Sequence, residues 1–208
     1  MTIQFKNVFK RYDKKIIFDD LSFQIQAGAR VLFQGPSGTG KTTLFQLILG
    51  FDMVDSGEIL IDGQPINPLI INDLRKKVAY IPQIIELGQG IVKDILDELM
   101  SFRTNTRLTL WQEKLTALLP KFNLEAHILE QQFSMLSGGE KQRLAIIIAI
   151  LLEREIFLLD EPTAALDTAL KQKVTHYFSE RTDATLLIIS HDVEWRQLDG
   201  IKTINLTQ

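Results

Sequence analysis

"RVLFQGPSGTGKTTLFQLILG", residues 30–50, is the stretch on which the reading of the whole chain turns. A short apolar run, Arg30–Gln34, reads as a strand, and Thr42–Leu49 reads as a helix. Between them "GPSGTGKTT" (35–43) matches G-x-x-x-x-G-K-[ST], the phosphate-binding loop, in the strand–loop–helix setting the motif requires. The chemistry accounts for the spacing. Gly35, Gly38 and Gly40 let backbone N–H groups wrap a β-phosphate where a Cβ would clash, and Pro36, Ser37, Thr39 and Thr43 complete the loop. Lys41 supplies a point charge to the β- and γ-phosphates, and Thr42 offers a hydroxyl to Mg²⁺.

Working outward, a chain of 208 residues with 45% apolar content can bury a substantial core in one or two domains. Its net charge of −3 and pI near 5.7 give no basic footprint, so nucleic acid is not an expected partner. With no cysteine, disulfides and thiolate metal sites are excluded. Residues 1–15 alternate polar and apolar types and lack the continuous apolar core of a signal peptide. The longest apolar run, "LAIIIAILL" (144–152), is about half of a bilayer span and reads as a buried helix. A chain soluble by itself is expected, with room for a membrane partner.

Short strands are expected at Ile3–Val8, Ile16–Ile25, Arg30–Gln34, Glu58–Ile61 and Val78–Ile81. From Val92 to Leu119 apolar residues recur at helical spacing, and Pro120 is expected to stop the pattern. "EIFLLDE" (155–161) and "ATLLIIS" (184–190) suit central strands buried on both faces, with a helix over Thr168–Ser179 between them. The layout is a β-rich start, an inserted helical block and an α/β finish.

Two further stretches carry chemistry. Asp160 ends an apolar strand, so its side chain emerges at the carboxyl edge of the sheet and can hold Mg²⁺ through water. Glu161, beside it, is placed to orient or deprotonate an attacking water. "LSGGEKQ" (136–142) brings Ser137, Gly138 and Gly139 to the start of a helix, where free N–H groups and the helix dipole suit a second anion.

Taken in order and spacing, the loop at 35–43, "LSGGEKQ", "IFLLDEPTAALD" (156–167) and "SHD" (190–192) resemble an ABC ATPase, the nucleotide-binding domain of ABC transporters, over nearly the whole chain. The resemblance implies an α/β P-loop fold with an antiparallel β subdomain, a mostly parallel central sheet and an inserted helical subdomain. Residues 1–83 and about 153–208 would form the core and β subdomain of a single ATPase domain, and about 84–152 the helical subdomain. It also implies that two copies, or this chain and a homologous ATPase, pack head to tail. Ser137, Gly138, Gly139 and Asp167 would then act on the partner's ATP, which accounts for a second anion site. Tyr12 would stack on adenine, Gln83 would reach Mg²⁺ or the water, and His191 would contact the γ-phosphate.

The sequence departs from the family pattern in three places. "IIELGQGIV" follows Gln83, Ile148 stands where the family has Arg, and Arg154 stands where it usually has Pro. The function implied is ATP hydrolysis with Mg²⁺, driving separate transmembrane permease subunits from the cytoplasmic face of the membrane. The chain ends soon after its last strand, as expected of small ATPases of exporters or of membrane complexes that transmit force without moving a solute. DNA-repair ATPases sharing this head insert long coiled coils or zinc modules; only about fifty residues lie between Gln83 and Ser137, with no cysteine and no sustained heptads.

Overall fold

The computed structural model describes residues 1–206. Strands β1 (Ile3–Tyr12) and β2 (Lys15–Ile25) form a hairpin, followed by β3 (Arg30–Gln34) and helix α1 (Lys41–Ile48). Next come β4 (Ser56–Ile61), β5 (Gln64–Pro65), α2 (Pro68–Lys77) and β6 (Val78–Ile81). Helices α3 (Val92–Ser101), α4 (Trp111–Lys121) and α5 (Gly138–Leu151) fill the middle of the chain, with short 3-10 turns at Ala126–Glu130 and Phe133–Met135. It closes with β7 (Ile156–Asp160), α6 (Thr168–Ser179), β8 (Thr185–Ile189), the single turn α7 (Val193–Arg196) and β9 (Ile201–Asn205).

The strands make two sheets. One is antiparallel in the order β2-β1-β4-β5, and the other is parallel in the order β6-β7-β8-β3-β9. The parallel sheet is covered on both faces, which is why its strands read as unbroken apolar runs. Alternate residues divide between two cores. Leu32, Phe157, Leu159, Leu186 and Ile188 join α5, α6 and the helical block, while Val31, Phe33, Ile156, Leu158, Leu187 and Ile189 join α1 and the antiparallel sheet. Every residue of α5 from Leu144 to Leu151 is buried, so the longest apolar run is a core helix. No helix among the described residues is long and apolar enough to cross a membrane.

Three local readings need correction. The helical stretch expected over 92–119 is two helices, interrupted at 102–110. Asn105 holds the break: its side chain donates to the Leu99 carbonyl (2.7 Å), and its N–H donates to the Phe102 carbonyl (2.7 Å). Nor does Pro120 stop α4, which runs on to Lys121; a proline in a last turn forfeits one N–H bond, and Phe122 closes the helix by donating to Leu118 (3.1 Å). Helix α2 has no counterpart in the expectations, although Asn67 caps Leu69 and Ile70 ahead of Pro68 at its first turn.

Candidate functional site

Helix α1 begins at the loop, and its start depends on Gly40. This residue sits at φ 91°, and a Cβ there would lie 2.9 Å from the Phe18 ring and closer still to Ile17. The loop backbone therefore turns under the β1–β2 hairpin. Lys41 Nζ donates to the carbonyls of Gly35 (2.8 Å) and Pro36 (2.9 Å), arching over the loop it belongs to. Thr42, next in the helix, donates its hydroxyl to Asp160 Oδ2 at 2.8 Å. Strand β7 delivers that carboxylate at its carboxyl end, 1% exposed. Burial holds the Asp160 carboxyl above the usual carboxylate range, partly offset by Thr42 and then Lys41.

Glu161 leaves the strand with φ 49°, a left-handed conformation that costs a non-glycine residue about 1–3 kcal/mol. Two bonds hold it there. Its N–H donates to the Ile189 carbonyl (2.8 Å), and its own carbonyl accepts from Gln142 Nε2 (3.1 Å). Burial raises its carboxyl, against the pull of nearby His191, whose Nε2 lies 3.7 Å from Glu161 Oε1. The His191 side chain is 64% exposed, whereas the residue after it is held firmly. Asp192 accepts from Thr163 (2.7 Å) and from Lys171 Nζ (2.5 Å), and Trp195 Nε1 donates to the same Thr163 hydroxyl (2.9 Å).

These groups converge on one cavity of about 820 Å³. Of the residues expected from sequence, Tyr12, Ser37, Gly38, Gly40, Lys41, Thr42, Thr43, Gln83, Asp160, Glu161 and His191 line it. Gly35, Pro36 and Thr39 belong to the loop without lining the cavity. Gln83 follows β6 and is exposed at the rim, whereas Tyr12 closes the far end of β1. The sequence reading gave no role to Lys15, which also lines the cavity and donates to the Gly38 carbonyl at 3.1 Å. Nor did it assign Gln142 or Asp192, although both stand inside quoted motifs; Gln142, the fifth residue of α5, is buried between half-buried neighbours, which the sequence alone does not mark.

Ser137, Gly138, Gly139 and Asp167 stand apart from the cavity. Ser137 caps α5 in a reciprocal box: its Oγ accepts from the Glu140 N–H (3.3 Å), while Glu140 Oε2 accepts from the Ser137 N–H (2.8 Å) and hydroxyl (2.7 Å). Asp167 likewise caps α6 by accepting from the Leu170 N–H at 2.9 Å. The helix start at Ser137 is exposed and does not line the cavity. It is packed onto the segment that leaves β7, since a Cβ on Gly139 would lie 3.3 Å from the Ala165 carbonyl.

The departures are absorbed in different ways. Ile148 is 6% exposed and sits in the core among apolar neighbours. Arg154 is 7% exposed and donates to the Asn105 side chain. After Gln83, Gly88 and Gly90 take positive φ, and the strand-like turn there is tied to the approach to α5: Val92 N–H donates to Gln131 (2.9 Å) and Phe133 N–H to Gly90 (2.9 Å).

A strand, a glycine loop and a helix around Lys41, with an acidic pair at the carboxyl end of β7, define a P-loop nucleotide-binding fold. The family model for ABC transporters matches residues 18–164, and the chain belongs to that family. It is 31% identical over 195 residues to the spermidine/putrescine import ATP-binding protein PotA of Mesoplasma florum, covering 92% of this chain and 55% of that protein. The protein of the same description from Thermotoga maritima is 33% identical over 198 residues, covering 91% and 52%. The chain thus spans about half the length of these curated relatives. Among solved structures, a bacterial Atm1-family ABC exporter with ATP bound superposes with a TM-score of 0.83 at 28% identity, over 100% of this chain and 38% of that one. The dimeric cassette MJ0796 of a bacterial ABC transporter does so at 0.81 and 25% identity, over 98% and 94%.

Proposed function

We propose that this chain binds and hydrolyses ATP as the motor subunit of an ABC transporter, dimerising head to tail on ATP and driving separate permease subunits at the cytoplasmic face of a membrane. One observation carries the reading. The hydroxyl of Thr42, the carboxylates of Asp160 and Glu161 and the imidazole of His191 converge in one cavity over the phosphate loop, while the exposed start of α5 at Ser137 is not part of its lining. A second copy related by a two-fold axis brings that start to the first copy's cavity, and the reverse, so two nucleotides close the dimer. The relatives named above include both an import ATP-binding protein and an exporter, which makes ATP use the chemistry they share.

In this mechanism Lys41 exchanges its loop carbonyls for phosphate oxygens, and the amides of residues 35–43 fold around the β-phosphate. The oxygen donors Thr42, Asp160 and Gln83 suit a hard cation, and the 2.8 Å contact between Thr42 and Asp160 already gathers two of them at one point. Mg²⁺ bound there would neutralise charge on the β- and γ-phosphates. Glu161 takes a proton from the attacking water, a role helped by a carboxyl that burial has made more basic. His191, beside Glu161, contacts the γ-phosphate, and Ser137 and Gly139 of the opposite copy donate to it. Tyr12 supplies the surface on which adenine stacks.

The test is a steady-state ATPase assay on purified protein, with a pull-down of tagged Glu161→Gln from detergent-solubilised membranes in ATP and Mg²⁺. Recovery of a multi-span membrane protein supports the transporter role. Recovery of soluble partners alone overturns that role and leaves the ATPase standing.

A further inference from the structure

The ring of Tyr12 is held from two sides by residues that do not line the nucleotide cavity. Lys10 precedes it by two places on β1, so the two side chains project from the same side of the strand. Lys10 is only 6% exposed, and its Nζ lies 4.9 Å from the centre of the Tyr12 ring. The same amine pairs with Asp52 Oδ1 at 2.7 Å and donates to the Met53 carbonyl at 2.6 Å. The other carboxylate oxygen of Asp52 accepts the Tyr12 hydroxyl. Ammonium, carboxylate and phenol therefore close a triangle in which each member touches the other two.

The loop that carries Asp52 is itself fixed to the end of β1. Met53 N–H caps Asp52 Oδ1 (2.7 Å), Asp55 N–H donates to the Phe9 carbonyl (3.0 Å), and Arg11 N–H donates to Asp55 Oδ2 (2.7 Å). A buried lysine has to be paired, and pairing with Asp52 alone would satisfy it. The extra contacts to the ring do something more: they remove the rotamer freedom of an aromatic side chain that is otherwise 41% exposed.

We infer that Lys10 and Asp52 are positioning residues for purine binding, locking the Tyr12 ring as a preformed stacking surface at the cavity's edge. Resting on the reading of Tyr12 as the adenine platform, the inference adds the device that sets its orientation. Ammonium beneath the ring and carboxylate at its hydroxyl leave the ring's remaining surface to the cavity, so a base meets a platform already immobilised. Preorganisation of this kind raises affinity for the base without touching the phosphates.

The experiment measures dissociation constants for ATP and for inorganic tripolyphosphate on wild type, Tyr12→Ala, Tyr12→Phe, Asp52→Asn and the double variant, each checked for a native circular dichroism spectrum. Tyr12→Ala should weaken ATP about tenfold, the value of one base–aromatic stack. Tyr12→Phe keeps the ring and loses the hydroxyl, so it and Asp52→Asn should each weaken ATP about threefold, with the loss in KM rather than kcat. The losses of the double variant should be less than additive, because the two changes act on the same hydroxyl–carboxylate contact, while Asp52→Asn also discharges the partner of Lys10. Tripolyphosphate should bind all of them as it binds wild type. If Tyr12→Ala leaves ATP affinity unchanged, the stacking role itself fails and the inference with it. If Tyr12→Ala weakens ATP while Tyr12→Phe and Asp52→Asn do not, stacking stands and the positioning role is overturned. Equal losses for ATP and tripolyphosphate also overturn it, since they report a general disturbance of the fold.

Discussion

Mixing two impaired variants should restore activity if the start of α5 serves the opposite subunit's nucleotide. Glu161→Gln removes the proposed base and should cost about 10²- to 10⁴-fold in turnover. Ser137→Ala removes one hydroxyl donor to a charged phosphate, about 1.5–3 kcal/mol or roughly 10- to 100-fold. In a head-to-tail dimer of one Glu161→Gln copy and one Ser137→Ala copy, one site carries both defects. The other combines an intact Glu161 with an intact Ser137. Random pairing of equal amounts makes half the dimers mixed, so about a quarter of all sites are whole and the mixture should run at about a quarter of the wild-type rate.

The assay is phosphate release by each variant alone and by the two mixed before ATP is added, because the Glu161→Gln copies are expected to stay paired once ATP is bound. Ser137 also caps α5 through Glu140, so its loss should lower stability by about 1 kcal/mol, or about 2–4 °C in melting temperature. That is too little to unfold the protein, and the melting curve separates it from the catalytic effect. A mixture no faster than the mean of its two components would refute action in trans. In that case Ser137 and Glu161 would be serving the same copy, despite lying at separate places on it.

Glu161→Gln alone should form a stable dimer in ATP, seen by light scattering, while hydrolysing very slowly; brisk turnover would remove Glu161 from the role of base. Lys41→Ala should lose ATP affinity by at least about tenfold in a titration with fluorescent nucleotide, since a charge-assisted contact to phosphate is lost. Asp160→Asn should abolish hydrolysis yet raise the melting temperature of the nucleotide-free protein at neutral pH, because burial holds the Asp160 carboxyl above its usual range and its charge destabilises the fold. The gain should be complete above the raised pKa, shrink as pH falls through it and vanish below about 3.9, the ordinary carboxylate value; a gain constant with pH would contradict the assignment.

Much of the fold was legible because its decisive elements are local or periodic. The phosphate loop announces itself through Gly40 and Lys41, and the buried strands through unbroken apolar runs such as "IFLLD". What escaped depended on distance in sequence. Asn105 divides a helical pattern by bonding Leu99 and Arg154, and nothing in a periodic reading marks it. Lys10, Asp52 and Tyr12 come together only when β1 meets the loop after α1, so the support of the ring could not be read from the motif containing it. Gln142 and Asp192 were visible as letters inside motifs, yet their partners, the Glu161 carbonyl and Thr163, are reached only through the packing of α5 and α6 on the sheet.

Three of the side chains proposed to meet phosphate or Mg²⁺ already have a partner within the chain. Lys41 holds two loop carbonyls, Thr42 holds Asp160, and Ser137 holds Glu140. Binding is therefore an exchange of hydrogen bonds, and its net free energy is far smaller than the gross strength of the new contacts. For Ser137 the exchange is demanding, because its hydroxyl leaves a carboxylate and only an acceptor of comparable charge can compete. A γ-phosphate is such an acceptor, and ADP does not bring one to that position. On the proposed reading, once the γ-phosphate had been cleaved and released, Glu140 would reclaim the hydroxyl and the contact between copies would lose its donor. On the same in-trans reading, the capping box would supply the resting partner that makes closure conditional on an intact triphosphate.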